Sequence, residues 1–282
     1  MTIVFVVLVV AAGTQLGKLM VALPAPDMRP DFSPDGAWIV YEHEEPDLRK
    51  SLRVSRPDGS EARLLTEFGH APSWSPDGDR ILFGRPSAQG SQPYVIAAEG
   101  GEPEPLLHPA LEGLYFLAET RWARDGRSIY YVTHDPKSHT AWRLDLETGE
   151  TEQAAPDGVD YVEETAGGTG VVYAKDGPAS LTLVWRREAD GAEQVVAPSI
   201  VDQRAFDVGP EAVYYVTLGP DPYGAGFLRS YEFVSGRTRE HGMVMDRPSL
   251  GLAVSPDGTT GVTARVKNDG TDRGFQVFRI DD

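Results

Sequence analysis

Four stretches of this sequence are near-copies of one short phrase. They read DFSPDG at 31–36, SWSPDG at 73–78, TRWARDG at 120–126 and AVSPDG at 253–258. Measured between their aspartates, the first three copies lie 42 and 48 residues apart, and the last follows after 132, which is three times 44. Two degenerate copies fall in that gap, GGTG at 167–170 and GPE at 209–211. The chain therefore holds six units with a period near 44, which is typical of β-propellers with one blade per repeat.

Each unit shows the same order of elements. A short strand leads into the SPDG turn, where proline sets φ, aspartate offers an acceptor and glycine tolerates positive φ. An apolar strand follows, then a variable loop, a third strand, a glycine-bearing hairpin and a polar fourth strand, as in WIVYE, SLRVS, PDGSE and ARLLTE of the first unit. This order predicts an all-β fold, a six-bladed β-propeller of four-stranded antiparallel blades. Because Asp77 recurs at the same place in other units, we interpret it as a turn residue and not as a catalytic group.

The charge and the cysteine content limit the chemistry and the partners of the chain. Acidic residues outnumber basic ones by 43 to 26, which gives a formal net charge of −17. No stretch concentrates lysine and arginine, so nucleic acid and anionic lipid surfaces should be repelled. There are no cysteines, which excludes disulfides, zinc–thiolate sites and thiol nucleophiles. We expect a monomer with no nucleic-acid partner.

The N-terminal residues differ from the repeats. Residues 3–12 read IVFVVLVVAA and are continuously apolar. A helix needs about 18–20 apolar residues to span a bilayer, so this run is too short. Its length suits the apolar core of a signal peptide, although only Met1 and Thr2 precede it. We expect residues 1–17 to be a signal peptide or a remnant membrane anchor and the protein to be periplasmic or extracytoplasmic, with a membrane tether in the second case. A buried β-strand is the alternative.

The two ends of the chain are expected to close the ring. The last repeat ends at FQVFRIDD, which supplies a third strand and no fourth. An open edge there would expose unpaired backbone groups. The segment KLMVALP at 18–24 resembles the outer strands of other units, such as ARLLTE. We predict that it pairs with residues 275–280, so that the propeller domain spans 18–282.

The motifs of common enzymes and metal sites do not stand out. No G-x-S-x-G elbow is present, and GGTG lacks the following G-K-S/T of a phosphate loop. His134 and His139 share one predicted loop, for which a transition-metal site is the less favoured interpretation. The loop KNDGTD at 267–272 lacks the spacing of an EF-hand. The five tryptophans fall on or beside predicted strands and are interpreted as packing residues. We predict no catalytic residue, cofactor or metal.

The repeats resemble the TolB-type, WD-like repeat of bacterial propellers. The likeness rests on the SPDG turn, the aromatic residue before it and the apolar strand after it, and it covers residues 28–282. In the C-terminal half, PSIVDQRAFDVGPEAVYYV, LRSYEFVSGRTRE and RPSLGLAVSPDGTT resemble the last two blades of propellers that bacterial sensor proteins carry outside the membrane. The α/β domain that precedes the TolB propeller has no counterpart in these residues, so a role in the Tol–Pal system is not expected.

The resemblance implies a function in recognition. The shared motifs are structural, so no catalytic residue is carried over from either family. The expected function is a non-catalytic extracytoplasmic propeller that recognises a protein or peptide, as a scaffold or sensor domain. The alternative is a propeller enzyme, a lyase, lactonase or hydrolase accessory domain, with its site at the mouth of the channel.

The partner is expected to bind one face of the propeller. SPDG turns and glycine hairpins project from one face and are stereotyped, whereas the loops between second and third strands project from the other and vary in length and charge. Variable loops on a rigid frame are where recognition usually resides. The residues predicted to line this binding face are His43, Glu44, Glu45, Arg85, His134, Lys137, Lys175, Tyr223 and Arg273.

Overall fold

The computed structural model describes residues 27–45, 47–88, 90–114, 119–135, 138–177, 180–219, 225–245, 251–266 and 273–280. Their strands form six antiparallel sheets, and each sheet is built from one sequence repeat. Within each sheet the strands lie in chain order, so that each pairs with the one before it and the one after it. Each sheet is one blade, as the repeat predicts.

The first three blades contain twelve strands. Blade one holds β1 (Met28–Phe32), β2 (Ile39–Glu44), β3 (Lys50–Ser55) and β4 (Arg63–Thr66). Blade two holds β5 (His70–Trp74), β6 (Arg80–Ser87), β7 (Gly90–Ala97) and β8 (Glu104–Pro105). Blade three holds β9 (Thr120–Trp122), β10 (Ser128–Asp135), β11 (Ser138–Asp145) and β12 (Thr151–Gln153).

The last three blades follow the same plan. Blade four holds β13 (Val162–Glu164), β14 (Gly170–Asp176), β15 (Leu181–Arg187) and β16 (Glu193–Ile200). Blade five holds β17 (Phe206–Val208), β18 (Ala212–Leu218), β19 (Gly226–Glu232) and β20 (Thr238–Met245). Blade six holds β21 (Leu252–Val254), β22 (Thr260–Val266) and β23 (Arg273–Arg279). Two short 3-10 turns, Pro109–Leu111 and Ala166–Gly168, complete the described elements.

The blades stand around one axis. The first strand of each blade is innermost, and these strands lie beside one another from blade to blade, with β21 of blade six next to β1 of blade one. The predicted all-β six-bladed propeller is confirmed. No helix among the described residues is long and apolar enough to cross a bilayer.

Local hydrogen bonds explain why the SPDG phrase recurs. In the first copy the Ser33 hydroxyl donates to Asp35 Oδ1 over 2.5 Å, and the amide of Ala37 donates to the same oxygen over 3.0 Å. Gly36 has φ 70°, which a side chain would strain. The hydroxyl hydrogen bond, ahead of the amide, lowers the pKa of Asp35. The same bonds occur in the second and last copies, so these aspartates are turn residues, as predicted.

The apolar core lies between neighbouring blades. Val40 and Leu52 of blade one, both fully buried, pack with Trp74, Ile81 and Phe83 of blade two. Burying each of these side chains stabilises the folded state by about 1.5–3 kcal/mol. A matching cluster joins blade one to blade six across the end of the repeat series. Because every core cluster draws on two sheets, no blade completes its own core.

The outer edge of blade six differs from the others. In the described part of the chain this blade has three strands, whereas each of the other five has four. Val277 of β23 is 42% exposed, whereas Val54, at the corresponding place in blade one beneath the fourth strand, is fully buried. The predicted closing segment, 18–24, lies outside the described residues, so closure by an N-terminal strand stays a prediction.

Candidate functional site

The innermost strands present their free edges to the central channel. On that edge the backbone amides have no strand partner and need other acceptors. Asp31 Oδ2 accepts from the amide of Trp74 over 2.6 Å, and Ser73 Oγ accepts from the amide of Trp122 over 3.2 Å. Asp207 Oδ2 accepts from the amide of Val254 over 2.5 Å. These three inter-blade bridges link blade one to two, two to three and five to six.

A wide chamber lies at the end of the channel where the SPDG turns project, here called the turn face. This turn-side chamber has a volume of about 1170 Å³, and all six blades contribute to its wall. Its apolar lining includes the prolines of four turns: Pro34, Pro76, Pro210 and Pro256. Its charged lining includes the following side chains: Asp31, Arg121, Arg124, Glu163, Glu164 and Asp207. Carboxylates outnumber guanidinium groups in this wall.

Arg121 is the central charge of the channel. One of its Nη atoms donates to Glu163 Oε1 over 2.8 Å and to the Tyr161 hydroxyl, and the other lies 3.9 Å from Asp31 Oδ1. The Glu163 side chain is only 4% exposed. Three blades therefore meet at one guanidinium group.

Two carboxyl groups near Arg121, those of Asp31 and Asp207, have raised pKa values. Burial raises the pKa of Asp31 to about 6, although Arg121 opposes the shift. Burial, followed by the neighbouring charge of Glu163, raises the pKa of Asp207 well above its ordinary value. Burial alone would lower the pKa of Arg121, but Glu163 and the other acids outweigh it and raise that pKa. Burial is the largest cause of both raised pKa values, so these two carboxyl groups resist ionisation in the channel.

Burial of Asp31 predicts a measurable dependence of stability on pH. Its folded pKa of about 6 exceeds its ordinary 3.8, so the folded state holds more protons between these values. The stability that protonated Asp31 contributes is complete below pH 3.8 and is lost as the pH rises through 6. We expect Asp31→Asn, which keeps an acceptor for the amide of Trp74, to gain stability relative to the native chain between pH 5 and pH 8, by about 1.4 kcal/mol. Urea unfolding at both pH values measures it.

Asp35 provides the matched control for this experiment. Its pKa is lowered, so its ionised form favours the folded state and this contribution is lost as the pH falls. Asp35→Asn should therefore differ from the native chain by nearly the same amount at pH 5 and at pH 8, because the contribution of Asp35 changes only below about pH 3.8. If Asp31→Asn gains no stability relative to the native chain over this range, burial does not raise the pKa of Asp31.

A second chamber lies deeper, toward the face where the loops between second and third strands project, here called the loop face. This loop-side chamber has a volume of about 570 Å³. Arg29, Glu119, Tyr161 and Arg204 line it. Glu119 lies 3.6 Å from Arg29 and forms an ion pair with Arg204. Asp31 and Arg121 line both chambers and form the layer between them.

A buried ion-pair network supports the wall of the loop-side chamber. Glu42 is fully buried and accepts from Arg29 over 2.8 Å, from Lys50 over 2.9 Å and from the amide of Ala71 over 2.7 Å. Burial alone would raise the pKa of Glu42, but Arg29 and Lys50 outweigh it and lower the pKa to about 2. The network ties β1, β2, β3 and β5 together behind the channel.

The structure places part of the predicted binding set on the loop face of blade one. His43, Glu44 and Glu45 lie at or just beyond the loop end of β2. Nδ1 of His43 lies 2.5 Å from Asp27 Oδ1, and Glu45 Oε1 accepts from Arg53 over 3.1 Å. These side chains are partly exposed, as a recognition surface requires.

The other predicted residues divide into three groups. Arg85 lies on neighbouring blade two, where it faces the rings of Phe68 and Tyr94. Lys175 does not join them, because it turns back over blade four to pair with Glu193 over 2.5 Å. The structure describes only the backbone of His134 and Arg273, whereas Lys137 and Tyr223 lie outside the described residues.

Arg85 belongs to an aromatic–arginine stack formed with Arg49, Phe68 and Tyr94. The guanidinium carbon of Arg49 lies 5.1 Å from the ring centroid of Phe68. That of Arg85 lies 6.0 Å from the same ring and 5.3 Å from the ring of Tyr94. Phe68 remains 37% exposed. Arginine and aromatic side chains are the types that dominate binding energy at protein interfaces.

Sequence analysis missed the residues that line the channel. Each innermost strand carries one side chain that faces the axis, two residues before its turn begins. Four of these six residues are charged. The six are Asp31, Ser73, Arg121, Glu163, Asp207 and Ala253. A charge recurring at one repeat position of a short buried strand was the available signal. Arg204 precedes β17 in an irregular segment and has no counterpart in the other repeats, so no periodic signal could reveal it.

The chamber walls are rich in acids, which raises the question of a metal. Within the described part of the chain, no group of three or more histidine, aspartate or glutamate side chains is arranged to hold a metal ion. The arrangement that is present can position charged or polar groups of a guest along the axis.

Solved structures identify the fold. The crystal structure of TolB from Acinetobacter baumannii superposes with a TM-score of 0.71 and 15% identity, covering 88% of this chain. The fold is a six-bladed β-propeller of the TolB type. The superposition covers 62% of the A. baumannii protein, so the activities and partners of the whole TolB protein are not transferred by it. At 15% identity the likeness is one of fold alone.

The TolB-like propeller is also similar to domains of other kinds. An oligogalacturonate lyase solved in complex with manganese gives a TM-score of 0.60 at 15% identity over 91% of this chain and 75% of the lyase. The β-propeller domain of the Trilobed protease from Pyrococcus furiosus, described as having an open velcro topology, gives 0.51 at 15% identity over 92% and 81%. Enzymes therefore occur among the proteins that share this fold.

Sequence comparison adds one relative and no family. No protein-family model matches the chain. An uncharacterized protein of Agrobacterium fabrum is 28% identical over 118 residues, which is 38% of this chain and 40% of that protein.

Proposed function

We propose that this chain is a non-catalytic extracytoplasmic propeller that recognises a protein or peptide partner through its loop face, as a scaffold or sensor domain. The observation that carries the proposal is the aromatic–arginine stack. It brings two guanidinium groups and a partly exposed phenylalanine together where blades one and two meet. By contrast, the aspartates of the repeated turns on the turn face are engaged in their own turns.

The charges on the loop face fit a protein partner better than a nucleic acid. The chain is strongly acidic, with a net charge of −17, so a polyanion would meet long-range repulsion. Histidine, glutamate and arginine side chains on blades one and two offer hydrogen-bond donors and acceptors and charges of both signs. Such mixed polar surfaces around an aromatic anchor are typical of protein interfaces.

The first experiment seeks the partner. The purified chain is immobilised and used to capture proteins from an envelope extract, and its metal content is measured in parallel. A partner captured from the extract and retained at physiological salt supports recognition. Stoichiometric bound metal together with cleavage of oligogalacturonate would instead favour the enzyme function.

Alanine at Tyr223, Arg85 and Lys137 together should weaken binding of a captured partner at least tenfold, about 1.4 kcal/mol. Arginine and tyrosine side chains are among the types that dominate interface energy, and a lysine offers a long charged side chain beside them. Thermal unfolding should be unchanged, and the affinity is measured by titration calorimetry. The control carries alanine at three exposed turn-face positions: Glu102, Glu188 and Val234. Loss of binding in the control alone would place the partner on the turn face.

A further inference from the structure

Three guanidinium groups converge on the loop-side chamber. Arg29 comes from blade one, Arg121 from blade three and Arg204 from the segment that leads into blade five. The guanidinium carbons of Arg121 and Arg204 each lie 5.2 Å from the ring centroid of Tyr161. Arg204 is 8% exposed. Arginines from separate blades gathered around one aromatic ring form a wall rich in N–H donors.

Arg29 occupies a strained backbone position at this wall. Its φ is 53°, in the left-handed region, and the pairing of β1 with β2 is irregular between Met28 and Asp31. Blade six has Gly251 at the same place, with φ 114°. A β-bulge changes the direction of the side chain that it carries. A non-glycine residue in the left-handed region of backbone conformation costs about 1–3 kcal/mol of stability. Blade one therefore keeps an arginine at the chamber where glycine would relieve the strain.

Two of the four carboxylates that pair with these arginines stand outside the chamber wall. Glu42 pairs with Arg29 from behind, and Glu163 lines the turn-side chamber. Of the acids in the loop-side wall, Asp31 has a raised pKa of about 6 and Glu119 is shared between two arginines. Despite its ion pair, burial and then the proximity of Arg29 lower the pKa of Arg204. A negative charge added to this wall would be stabilised, in contrast to the acidic turn-side chamber.

The remaining wall defines the rest of the ligand. Between blades three and four the chamber is lined by Val132, Ala141 and Val162, and Leu252 lies on the blade-six side. An apolar recess next to guanidinium groups suits an aliphatic side chain attached to a carboxylate. It suits a hydroxyl-rich sugar less well, because each hydroxyl would lose its hydrogen bonds to water. The 570 Å³ of space inside this wall includes the part that is open to solvent.

We propose that the loop-side chamber binds the terminal carboxylate of a peptide whose last side chain is apolar. Arg29 and Arg204 hold the carboxylate, Tyr161 keeps the two inner guanidinium groups oriented, and the recess between blades three and four receives the side chain. This inference deepens the proposed function and rests on it in taking the guest to be a peptide.

The test uses the purified full chain and a matched pair of probes. Acetyl-Ala-Ala-Ala-Leu as the free acid should bind at least about tenfold more tightly than the same peptide as the C-terminal amide. Binding is followed by nuclear magnetic resonance titration up to about 10 mM, a range that covers millimolar affinities. Acetyl-Ala-Ala-Glu-Leu-amide, which has a side-chain carboxylate only, and trigalacturonate are measured alongside.

Two variants test the arginines. Arg204→Gln combined with Glu119→Gln removes one charge of each sign, which keeps the wall balanced, and should abolish the preference for the acid over the amide. Arg29→Gln is the second variant and should weaken binding of the acid at least about tenfold. Arg187→Gln, an exposed arginine of blade four, is the control and should change nothing. Thermal unfolding identifies any variant that fails to fold.

Each other outcome overturns the inference. Equal binding of acid and amide, or no binding of either, removes the carboxylate site. Tighter binding of the peptide amide with a side-chain carboxylate than of the free-acid peptide would rule out a site for the terminal carboxylate. Binding of trigalacturonate alone, with the same dependence on the arginines, would assign the chamber to acidic sugars. These probes need no natural partner. The proposed carboxylate site can therefore be supported even if partner capture fails, and it can be refuted even if capture succeeds.

Discussion

Replacing Arg121 with methionine is expected to lower the free energy of unfolding by about 3–5 kcal/mol. The substitution leaves Glu163, Asp31 and Asp207 facing one another in the channel without their shared cation. Uncompensated buried carboxylates carry a large desolvation cost, whereas methionine fills a similar volume. For a domain of this size the melting temperature should fall by roughly 10 °C. Urea unfolding and calorimetry at pH 8 measure both quantities.

A compensating variant separates the effect of the lost charge on stability from the effect of changed packing. Adding Glu163→Gln and Asp31→Asn to Arg121→Met should recover at least half of the lost stability, because two of the three carboxyl groups that faced the lost cation are then neutral. Arg187→Met removes an exposed pair with Asp190 and should leave the melting temperature unchanged. An Arg121→Met protein as stable as the native chain would show that the channel charges are well solvated.

Deletion of residues 18–24 is expected to lower the melting temperature by on the order of 10 °C. Blade six has three strands in the described part of the chain, and Val277 on its outer strand is 42% exposed. If KLMVALP supplies the fourth strand, its deletion exposes several apolar side chains, each worth about 1.5–3 kcal/mol, and leaves a sheet edge unpaired. Calorimetry of the truncated chain measures the change.

Deletion of residues 1–17 is the matched control. It removes the apolar N-terminal run and leaves KLMVALP intact, so the melting temperature should be that of the full chain. If the two deletions give the same melting temperature, the segment 18–24 does not close the ring.

The sequence permits prediction of the blades because their signals are local. The SPDG turn needs only neighbouring atoms, as the bonds from Ser33 and Ala37 to Asp35 show. The period of the repeat then gives the number of blades. The alternation of turns and loops along each repeat predicts which connections lie on each face of the propeller. Even the degenerate copies at GGTG and GPE mark true strand connections between β13 and β14 and between β17 and β18.

The channel could not be predicted in the same way because its contacts join distant repeats. Arg121 meets Glu163 only when blades three and four are side by side, and Asp31 approaches from blade one. A single sequence carries no information on which charges of different repeats will pair. Lys175 shows the same limit, because it lies at the end of β14 and not in the predicted loop, and its side chain pairs with Glu193 on the outer strand.

The inter-blade bridges make the blades unequal, although their turns are nearly identical. A propeller of this kind can grow by duplication of one unit, since any copy can form the turn and the strands. Asp31, Ser73 and Asp207, however, are each matched to an amide of the following blade. Circular permutation preserves every such neighbour, whereas exchange of two blades breaks several at once. The order of the blades is therefore tied to these three side chains, although the repeated turns alone would allow any order.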